Sequence, residues 1–418
     1  MLRTYLVLAA VLLASAADSA VAQTSPPRLL LVDVDDLGDA FLAANPQPFF
    51  HALDAYGRRY DTFYTAPLCC PTRASMSFGV RGNHPDLQCT GLIRLPSDYS
   101  TPTAGRLVTL AQALAARGFS AAKIGKWHLS LSDQLSHPEE HGYAAYFGVI
   151  PNVNDYYAWP LVYNGVETQV TGTYLTKLET DGGIVAMSAG YDLVSVSYHA
   201  IHRPYHVPPA GLYSGPVPTT DVAKGRAMLE ALSRELGRLV SAAQLFGYHL
   251  ILFSDNGGNS ELGGAKGTTL EKGCNTTMWC FGAGVVPGVD PSLVSVHDIY
   301  ATVLEFFGSA AVPPLEGVDS VSFLPTWQGT SGARTHVYAE KFMFNGEDPR
   351  LKPTHWDRVV RSERYKLRRA PGHVSTDLFF DLQLDPNEFQ PLAPGSFGAE
   401  QASTYLFLQN ALIHWERP

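Results

Sequence analysis

Four short apolar runs of the sequence, rich in β-branched residues, each end in polar residues. They cover residues 28–34 (RLLLVDV), 119–124 (FSAAKI), 193–198 (LVSVSY) and 249–253 (HLILF). Continuous apolar runs of this length are typical of central strands in a mostly parallel sheet, where both faces are buried. Helical patterns over 108–117 and 221–244 lie between them. The alternation predicts an α/β fold with right-handed crossovers.

Polar residues follow each of these predicted strands. They are Asp35-Asp36, Lys126 with His128, His202, and Asp255-Asn256. In open α/β sheets, groups at the carboxyl ends of the strands converge on one crevice. The sequence therefore predicts a functional site at this edge of the sheet.

The last part of the chain has a different pattern. Runs at 357–361, 364–368 and 377–382 have the form of short antiparallel strands with polar faces, and a helix is expected from about 398 to 415. We expect a larger α/β domain over residues 23–325 and a smaller C-terminal subdomain with an antiparallel sheet over residues 326–418.

The N-terminus has the features of an export signal. Arg3 precedes an apolar run at 6–13, and Ala20-Val21-Ala22 fits a small-x-small cleavage site. We expect a signal peptide over residues 1–22 and a periplasmic or secreted protein. No later stretch is long enough to span a membrane. With 30 basic and 39 acidic residues and a net charge of −9, the chain lacks the basic surface that binding to nucleic acid requires.

The chain contains five cysteines, an odd number. In an oxidising compartment an odd count implies one cysteine with a separate role. If that one is Cys69, the pairing of lowest sequence separation joins Cys274 to Cys280 and Cys70 to Cys89. Free buried thiols are the alternative.

The pentapeptide Cys69-Cys70-Pro71-Thr72-Arg73 has the most specific chemistry in the sequence. Thr72 is expected to cap the helix that follows, which would place Cys69 at a helix N-terminus, where anions are favoured. From chemistry alone, Cys69 is then either a thiolate nucleophile or half of a disulfide.

The order of motifs along the chain narrows these alternatives. It runs Asp-Asp, Cys-x-Pro-Thr-Arg, Gly-Lys-Trp-His, His-x-Pro, Asp-Asn-Gly-Gly and Gly-x-Lys-Gly-Thr-Thr. From Leu29 to Asn387 the sequence resembles the sulfatase family, and in particular its arylsulfatase B-like members. The resemblance implies the alkaline-phosphatase-like fold, in which helices enclose a large, mostly parallel sheet, and the activity of a sulfuric ester hydrolase.

The resemblance also implies a modified nucleophile and a metal. Cys69 corresponds to the cysteine that a maturation enzyme oxidises to Cα-formylglycine, whose hydrate provides two hydroxyls. One hydroxyl attacks sulfur, and the other loses its proton so that sulfate leaves. Asp35, Asp36, Asp255 and Asn256, with the modified Cys69, correspond to the metal ligands. Oxygen ligands favour Ca²⁺, with Mg²⁺ as the alternative, over Zn²⁺. Asp33 is assigned no role.

The remaining site residues take their roles from the same resemblance. Arg73 would pair with the nucleophile and the metal-binding carboxylates, whereas Lys126 and His128 would bind sulfate and accept the second proton. His202 corresponds to the histidine at the leaving group, and Lys266 to a second sulfate-binding lysine. His199 and His206 flank His202 and could take over its role.

The substrate is less constrained. A small-molecule or saccharide sulfate ester is expected, with Tyr156, Tyr157, Trp159 and residues 202–209 bordering the pocket and stacking on its rings. Two alternatives stay open: a phosphodiester or phosphonate monoester hydrolase of the same superfamily, and an inert sulfatase-like carbohydrate-binding protein in which Cys69 is unmodified.

Overall fold

The computed structural model describes residues 26–82, 84, 87, 107–308, 318–343, 355–369 and 377–416. The expected signal peptide and Cys89 lie outside the described residues.

The described part of the chain contains a large mixed sheet of eleven strands, in the order β10-β2-β9-β8-β1-β7-β3-β4-β5-β6 with β11 beside β2. The central strands β8, β1, β7, β3 and β4 are all parallel to one another. The strands are β1 Leu29–Val34, β2 Arg58–Tyr64, β3 Ala121–Lys126, β4 Ala145–Val149, β5 Ala158–Tyr163, β6 Val166–Thr171, β7 Leu193–Tyr198, β8 His249–Ser254, β9 Asn275–Phe281, β10 Gly288–Asp290 and β11 Val294–Ser295.

Helices cover both faces of this sheet. Along β1, Leu30 and Val32 belong to one core with residues of α1, α2, α6 and α7, whereas Leu29 and Leu31 belong to a second core with residues of α3, α4 and α9. These helices are α1 Asp39–Ala44, α2 Pro48–Tyr56, α3 Cys69–Phe78, α4 Leu110–Ala115, α5 His137–Glu140, α6 Leu175–Ser188, α7 Asp221–Leu245, α8 Glu271–Cys274 and α9 Asp298–Phe306. Because both faces of β1 are buried, its residues are apolar at every position except Asp33.

A separate antiparallel sheet of four strands follows, in the order β12-β13-β14-β15. Its strands are β12 Val337–Met343, β13 His355–Arg361, β14 Tyr365–Arg369 and β15 Leu378–Asp381, and the helix α10 Ala399–Glu416 follows them. Val360 and Leu367 of the sheet share a small core with Leu408 and Leu412 of α10. The predicted fold class, a large α/β sheet with a small antiparallel sheet after it, is confirmed.

The pairing of Cys274 with Cys280 is wrong, because both are free, buried thiols. Cys274 ends α8 and Cys280 lies six residues on, near the end of the extended strand β9. Six residues of strand span about 20 Å, whereas a disulfide needs Cα atoms about 4.4–6.8 Å apart. The expected pairing of Cys70 with Cys89 involves a residue outside the described part.

Candidate active site

Two polar pairs, Asp35-Asp36 and Asp255-Asn256, lie side by side at the carboxyl edge of the large sheet. β1 and β8 are parallel neighbours, with Val34 opposite Ser254, so Asp35-Asp36 and Asp255-Asn256 leave the sheet at the same level. The backbone N–H of Asp36 donates to Asp255 Oδ1 at 3.0 Å. Asp36 adopts a left-handed conformation, with φ 61°. The sheet register therefore brings the two predicted pairs together.

The cluster formed by these residues is fully buried. Ligand atoms of Asp35, Asp36, Cys69 and Asp255 all lie within 4.8 Å of one another. Asn256 Nδ2 donates to Asp255 Oδ1 at 2.7 Å and to Asp36 Oδ1 at 3.0 Å. Burial, together with the nearby Asp35, raises the pKa of Asp255 well above its usual value. Buried carboxylates this close repel one another, so the cluster needs positive charge.

The donor set fits a hard divalent cation. Its three carboxylates offer the oxygens that Ca²⁺ and Mg²⁺ prefer. Asn256 would add its amide oxygen after a flip of the amide, because Oδ1 here accepts from the N–H of Gly258 at 2.9 Å and Nδ2 faces the carboxylates. Asp255 Oδ2 is buried and accepts no hydrogen bond from the described residues. A cation among these oxygens would satisfy that atom and relieve the repulsion.

Cys69 is the first residue of α3, which confirms its expected place at a helix N-terminus. The cap predicted for Thr72 is wrong: the helix begins three residues earlier, and Thr72 Oγ1 instead donates to the carbonyl of Ala66 at 3.1 Å. Cys69 Sγ donates to Asp35 Oδ1 at 3.2 Å. Burial, and then the charges of Asp255 and Asp35, raise the pKa of the Cys69 thiol well above its usual value. With no cation among the carboxylates, this environment disfavours the thiolate.

Arg73 follows Cys69 by four residues on the same helix and is buried. Its Nη1 lies 2.8 Å from Asp33 Oδ2 and donates to the carbonyl of Lys126 at 3.2 Å. Its Nη2 lies 3.8 Å from Asp255 Oδ2. Burial acts to lower the pKa of Arg73, but Asp33 and Asp35 outweigh it, so the guanidinium stays charged.

Two lysines provide further positive charge. Lys126 Nζ, at the end of β3, contacts Asp35 Oδ2, and Lys266 Nζ lies 2.5 Å from Asp36 Oδ1. Burial alone would raise the pKa of Asp35, but Lys126, His202 and Lys266 hold it well below its usual value. Both lysines thus occupy the predicted site.

His128 and His202 lie beside these charges. His128 is buried, and its Nδ1 has no hydrogen-bond partner among the described residues. Burial and the neighbouring Lys126 lower its pKa well below the usual value. His202 Nε2 lies 3.9 Å from Asp36 Oδ2. Burial also lowers the pKa of His202, although Asp35 opposes the shift. Burial therefore favours the neutral form of both rings.

The two histidines that flank His202 occupy different surroundings. His199 is buried, and its Nδ1 lies 2.9 Å from Glu179 Oε1. His206 lies at the rim, with Nε2 3.7 Å from Asp155 Oδ1. Of the three histidines, only His202 lies within 4 Å of a carboxylate of the cluster.

The sequence interpretation missed several supporting residues. Asp33 pairs with Arg73, although it was assigned no role. Lys123 Nζ donates to Ser195 Oγ at 3.0 Å and lies 3.8 Å from Asp33 Oδ1, and burial lowers its pKa to about 8. Asn259 Nδ2 donates to Asp36 Oδ2 at 2.9 Å. One signal was available: Asp33 and Asp35, two residues apart on a strand, share a face of the sheet.

The expected aromatic border of the pocket is wrong for two of its members. Trp159 is 1% exposed and its Nε1 donates to the carbonyl of Thr173 at 3.3 Å. Tyr156 is fully buried, and its hydroxyl contacts the carbonyls of His199 and His202, both at 2.8 Å. Trp159 is therefore a core residue, whereas Tyr156 supports the segment that carries His202.

Comparisons with known proteins agree with this site. Residues 27–309 match the family model described as Sulfatase. Mouse arylsulfatase J is 27% identical over 292 residues, which cover 61% of this chain and 48% of that protein. The chain thus spans about half the length of that relative. Human arylsulfatase A is also 27% identical, over 93% of this chain and 87% of that protein.

Solved structures share the fold. Ps i-CgsB in complex with k-i-k-neocarrahexaose superposes with a TM-score of 0.75 at 20% identity, covering 94% of this chain and 93% of that chain. BT4656 in complex with its substrate D-glucosamine-2-N,6-O-disulfate gives a TM-score of 0.71 at 17% identity, covering 93% and 97%.

The chain has the alkaline-phosphatase-like fold, with a buried acidic site at the carboxyl edge of its large sheet. Because the family model covers more than half of its length, the chain belongs to the sulfatase family, whose members are sulfuric ester hydrolases.

Proposed function

We propose that this protein hydrolyses sulfate esters with a formylglycine made from Cys69 and a divalent cation held by Asp35, Asp36, Asp255 and Asn256. The observation that carries the proposal is the position of Cys69. Its Sγ lies 3.2 Å from Asp35, inside a buried cluster of three carboxylates that holds the thiol protonated. At this position the hydroxyls of a hydrated formylglycine would lie among the carboxylates that hold the cation.

Formylglycine would supply the nucleophile of the reaction, and the divalent cation would supply positive charge. Hydrated formylglycine would supply the hydroxyl that attacks sulfur and the one whose deprotonation ejects sulfate, and Ca²⁺ or Mg²⁺ would supply charge that stabilises the sulfate oxygens.

Arg73, Lys126 and His128 act on the nucleophile side of the site. Arg73 is held by Asp33 and Asp255, and it keeps a fixed positive charge about one helical turn after residue 69. Lys126 neutralises Asp35 and can turn towards sulfate. His128, whose Nδ1 has no partner among the described residues, accepts the proton of the second hydroxyl.

His202 and Lys266 act on the side from which substrate enters. Their side chains are 17% and 16% exposed, whereas Lys126 and Asp35 are fully buried. Lys266 binds a sulfate oxygen, and His202, once the charge of bound sulfate has favoured its protonated form, donates that proton to the departing alcohol.

A sulfated saccharide is the substrate class we propose. Two structures with this fold are of proteins in complex with a neocarrahexaose and with a disulfated glucosamine. In this chain Arg203, next to His202, has a side chain that is 62% exposed and lies 3.1 Å from Glu261. An exposed guanidinium next to His202 can exchange its pair with Glu261 for a second anionic group of a sugar.

Several features outside the site belong to the same proposal. Residues 1–22 would direct export to the periplasm or beyond, and a formylglycine-generating enzyme would modify Cys69. Residues 23–325 would form the catalytic unit and 326–418 the C-terminal subdomain. No helix in the described ranges has the length and apolar character needed to cross a membrane.

One preparation from the native host tests the proposal. Mass spectrometry of the tryptic peptide with Cys69 should show the loss of sulfur that accompanies formylglycine formation. Aryl and saccharide sulfates should be cleaved, Cys69→Ala should abolish turnover, and aryl phosphate diesters and phosphonate monoesters should be poor substrates.

Removal of the divalent cation by a chelator should lower Tm, and added Ca²⁺ or Mg²⁺ should restore it. An unmodified Cys69 in active protein would refute the formylglycine mechanism, and preferential cleavage of the phosphorus esters would refute the sulfatase assignment.

A further inference from the structure

The loop that presents Lys266 is anchored on three sides. It spans residues 263–270, between the short 3-10 helix Ser260–Leu262 and α8. The backbone N–H of Lys266 donates to the carbonyl of Gly258 at 2.8 Å, close in sequence to Asp255 and Asn256. The N–H of Gly267 donates to the carbonyl of Pro67 at 2.8 Å, just before Cys69.

The third side is the C-terminal sheet, which provides two lysines. Lys341 Nζ of β12 donates to the carbonyl of Gly267 at 2.6 Å. Lys366 Nζ of β14 donates to the carbonyl of Thr269 at 2.7 Å. These two carbonyls lie one and three residues beyond Lys266. Both strands therefore hold the same short loop through its backbone.

A buried charge network fixes the far end of the loop. Lys366 is fully buried, with Nζ 3.1 Å from Glu271 and 2.8 Å from Glu388. Glu271, the first residue of α8, also pairs with Arg361 of β13 at 2.6 Å. The backbone N–H of Glu271 donates to Glu388 Oε2 at 2.5 Å. A lysine is rarely buried without such partners, so the network fixes Lys366 and with it the carbonyl of Thr269.

The geometry points to Lys341 and Lys366 as positioning residues that act through Lys266: they fix its loop by the carbonyls of Gly267 and Thr269, so the C-terminal sheet is part of the apparatus that binds sulfate. The inference rests on the role given to Lys266 in the proposed function. A displacement of about 1 Å in a group that orients substrate can cost about a hundredfold in rate.

Lys341 is the residue to change, because Lys366→Met would leave Glu271 and Glu388 without their lysine and endanger folding. Lys341→Met should lower kcat/KM for a sulfate ester about tenfold or more while the fold is retained. Lys341→Arg, which can still donate to Gly267, should recover most of the loss. The matched control is Arg364→Met, which should leave kcat/KM unchanged, because Arg364 lies just before β14 and pairs with Asp381 of β15 rather than with the loop. Activity of Lys341→Met within twofold of wild type would overturn the inference.

Two further measurements separate positioning from general damage. Lys341→Met should have little effect in a Lys266→Ala background, whereas an equal loss in both backgrounds would overturn the inference. Hydrogen exchange of a peptide covering residues 264–271 should be faster in Lys341→Met than in wild type or Arg364→Met, and unchanged exchange would also overturn it. The exchange measurement needs no substrate. A wild-type enzyme that cleaves no sulfate ester would thus contradict the proposed function and still leave the loop contact open to test.

Discussion

Arg73 is held between two carboxylates, with Nη1 2.8 Å from Asp33 and Nη2 3.8 Å from Asp255. On the other side of Asp33, Lys123 Nζ lies 3.8 Å from Oδ1, and the hydroxyl of Ser197 contacts the same oxygen. One buried carboxylate thus balances two buried cations, and its removal leaves both cations short of negative charge.

We therefore expect Asp33→Asn, which keeps the shape and loses the charge, to lower the free energy of unfolding by about 3–5 kcal/mol. The double variant Asp33→Leu/Lys123→Met removes a cation together with the anion and should be less destabilised. Urea unfolding of the three proteins measures both effects. An unchanged midpoint for Asp33→Asn would show that the pair with Arg73 contributes nothing to stability.

The roles of some site residues could be predicted from the sequence, and the roles of others could not. Asp35, Asp36, Asp255 and Asn256 could be placed in one site, because each follows a strand and parallel strands end at a common edge. The role of Asp33 could not, because the partner of a buried charge depends on which helix packs over the strand. Here that helix is α3, which brings Arg73 against it.

Among the secondary structure elements, β3 approaches its neighbours closely at the residue before Lys126. Gly125 precedes Lys126 and has φ +81°, and a Cβ at this position would lie 2.1 Å from the carbonyl oxygen of Ser197 on β7. The same close packing continues to β4, where a Cβ on Gly148 would lie 1.8 Å from the carbonyl oxygen of Gly125. The end of β3 therefore has no room for a side chain at residue 125.

Gly118 provides a matched comparison, since it has φ +83° and no atom within 4 Å of its Cβ position. Gly118→Ala should cost only the strain of a left-handed residue, about 1–2 kcal/mol. Gly125→Ala should cost more, because β3 and β7 must separate, and it should also lower kcat/KM by displacing Lys126. Urea midpoints and initial rates compare the two variants. Equal destabilisation would show that the sheet yields at this point without cost.

The central strands of the large sheet could be predicted from the sequence, whereas its outer strands and β12 could not. Strands β1, β7 and β8 match the apolar runs closely, and α7 begins at Asp221 as expected. The strand β2 (RRYDTFY) contains charged residues, β5 contains Pro160, and β6 is mostly exposed, so none has the pattern of a buried strand. β12 was also missed, and it supplies Lys341. Such elements are stabilised by neighbours distant in sequence, which local patterns do not record.

Across the whole molecule, several histidines are buried in neutral form. Burial and the neighbouring His141 lower the pKa of His137 to about 3, and burial and Arg334 lower that of His336 to about 4. Burial and Arg334 also hold the pKa of His297 well below its usual value. His297 and His336 share Arg334 and Trp415 as neighbours, so their effects on stability should be coupled rather than additive.

The sign of the pH dependence follows from these shifts. Below pH about 6.5 the histidines of the unfolded chain bind protons that the folded protein does not, so the stability that is present above this pH is lost as the pH falls. For His137 the loss is about 1.4 kcal/mol per pH unit between about 6.5 and its folded pKa of about 3. Urea unfolding between pH 7 and 4.5 should give a shallower slope for His137→Gln than for wild type. His51→Gln, at an exposed position on α2, should keep the wild-type slope. If His137→Gln also kept that slope, the buried ring would have to be protonated in the folded protein, against the low pKa that its burial imposes.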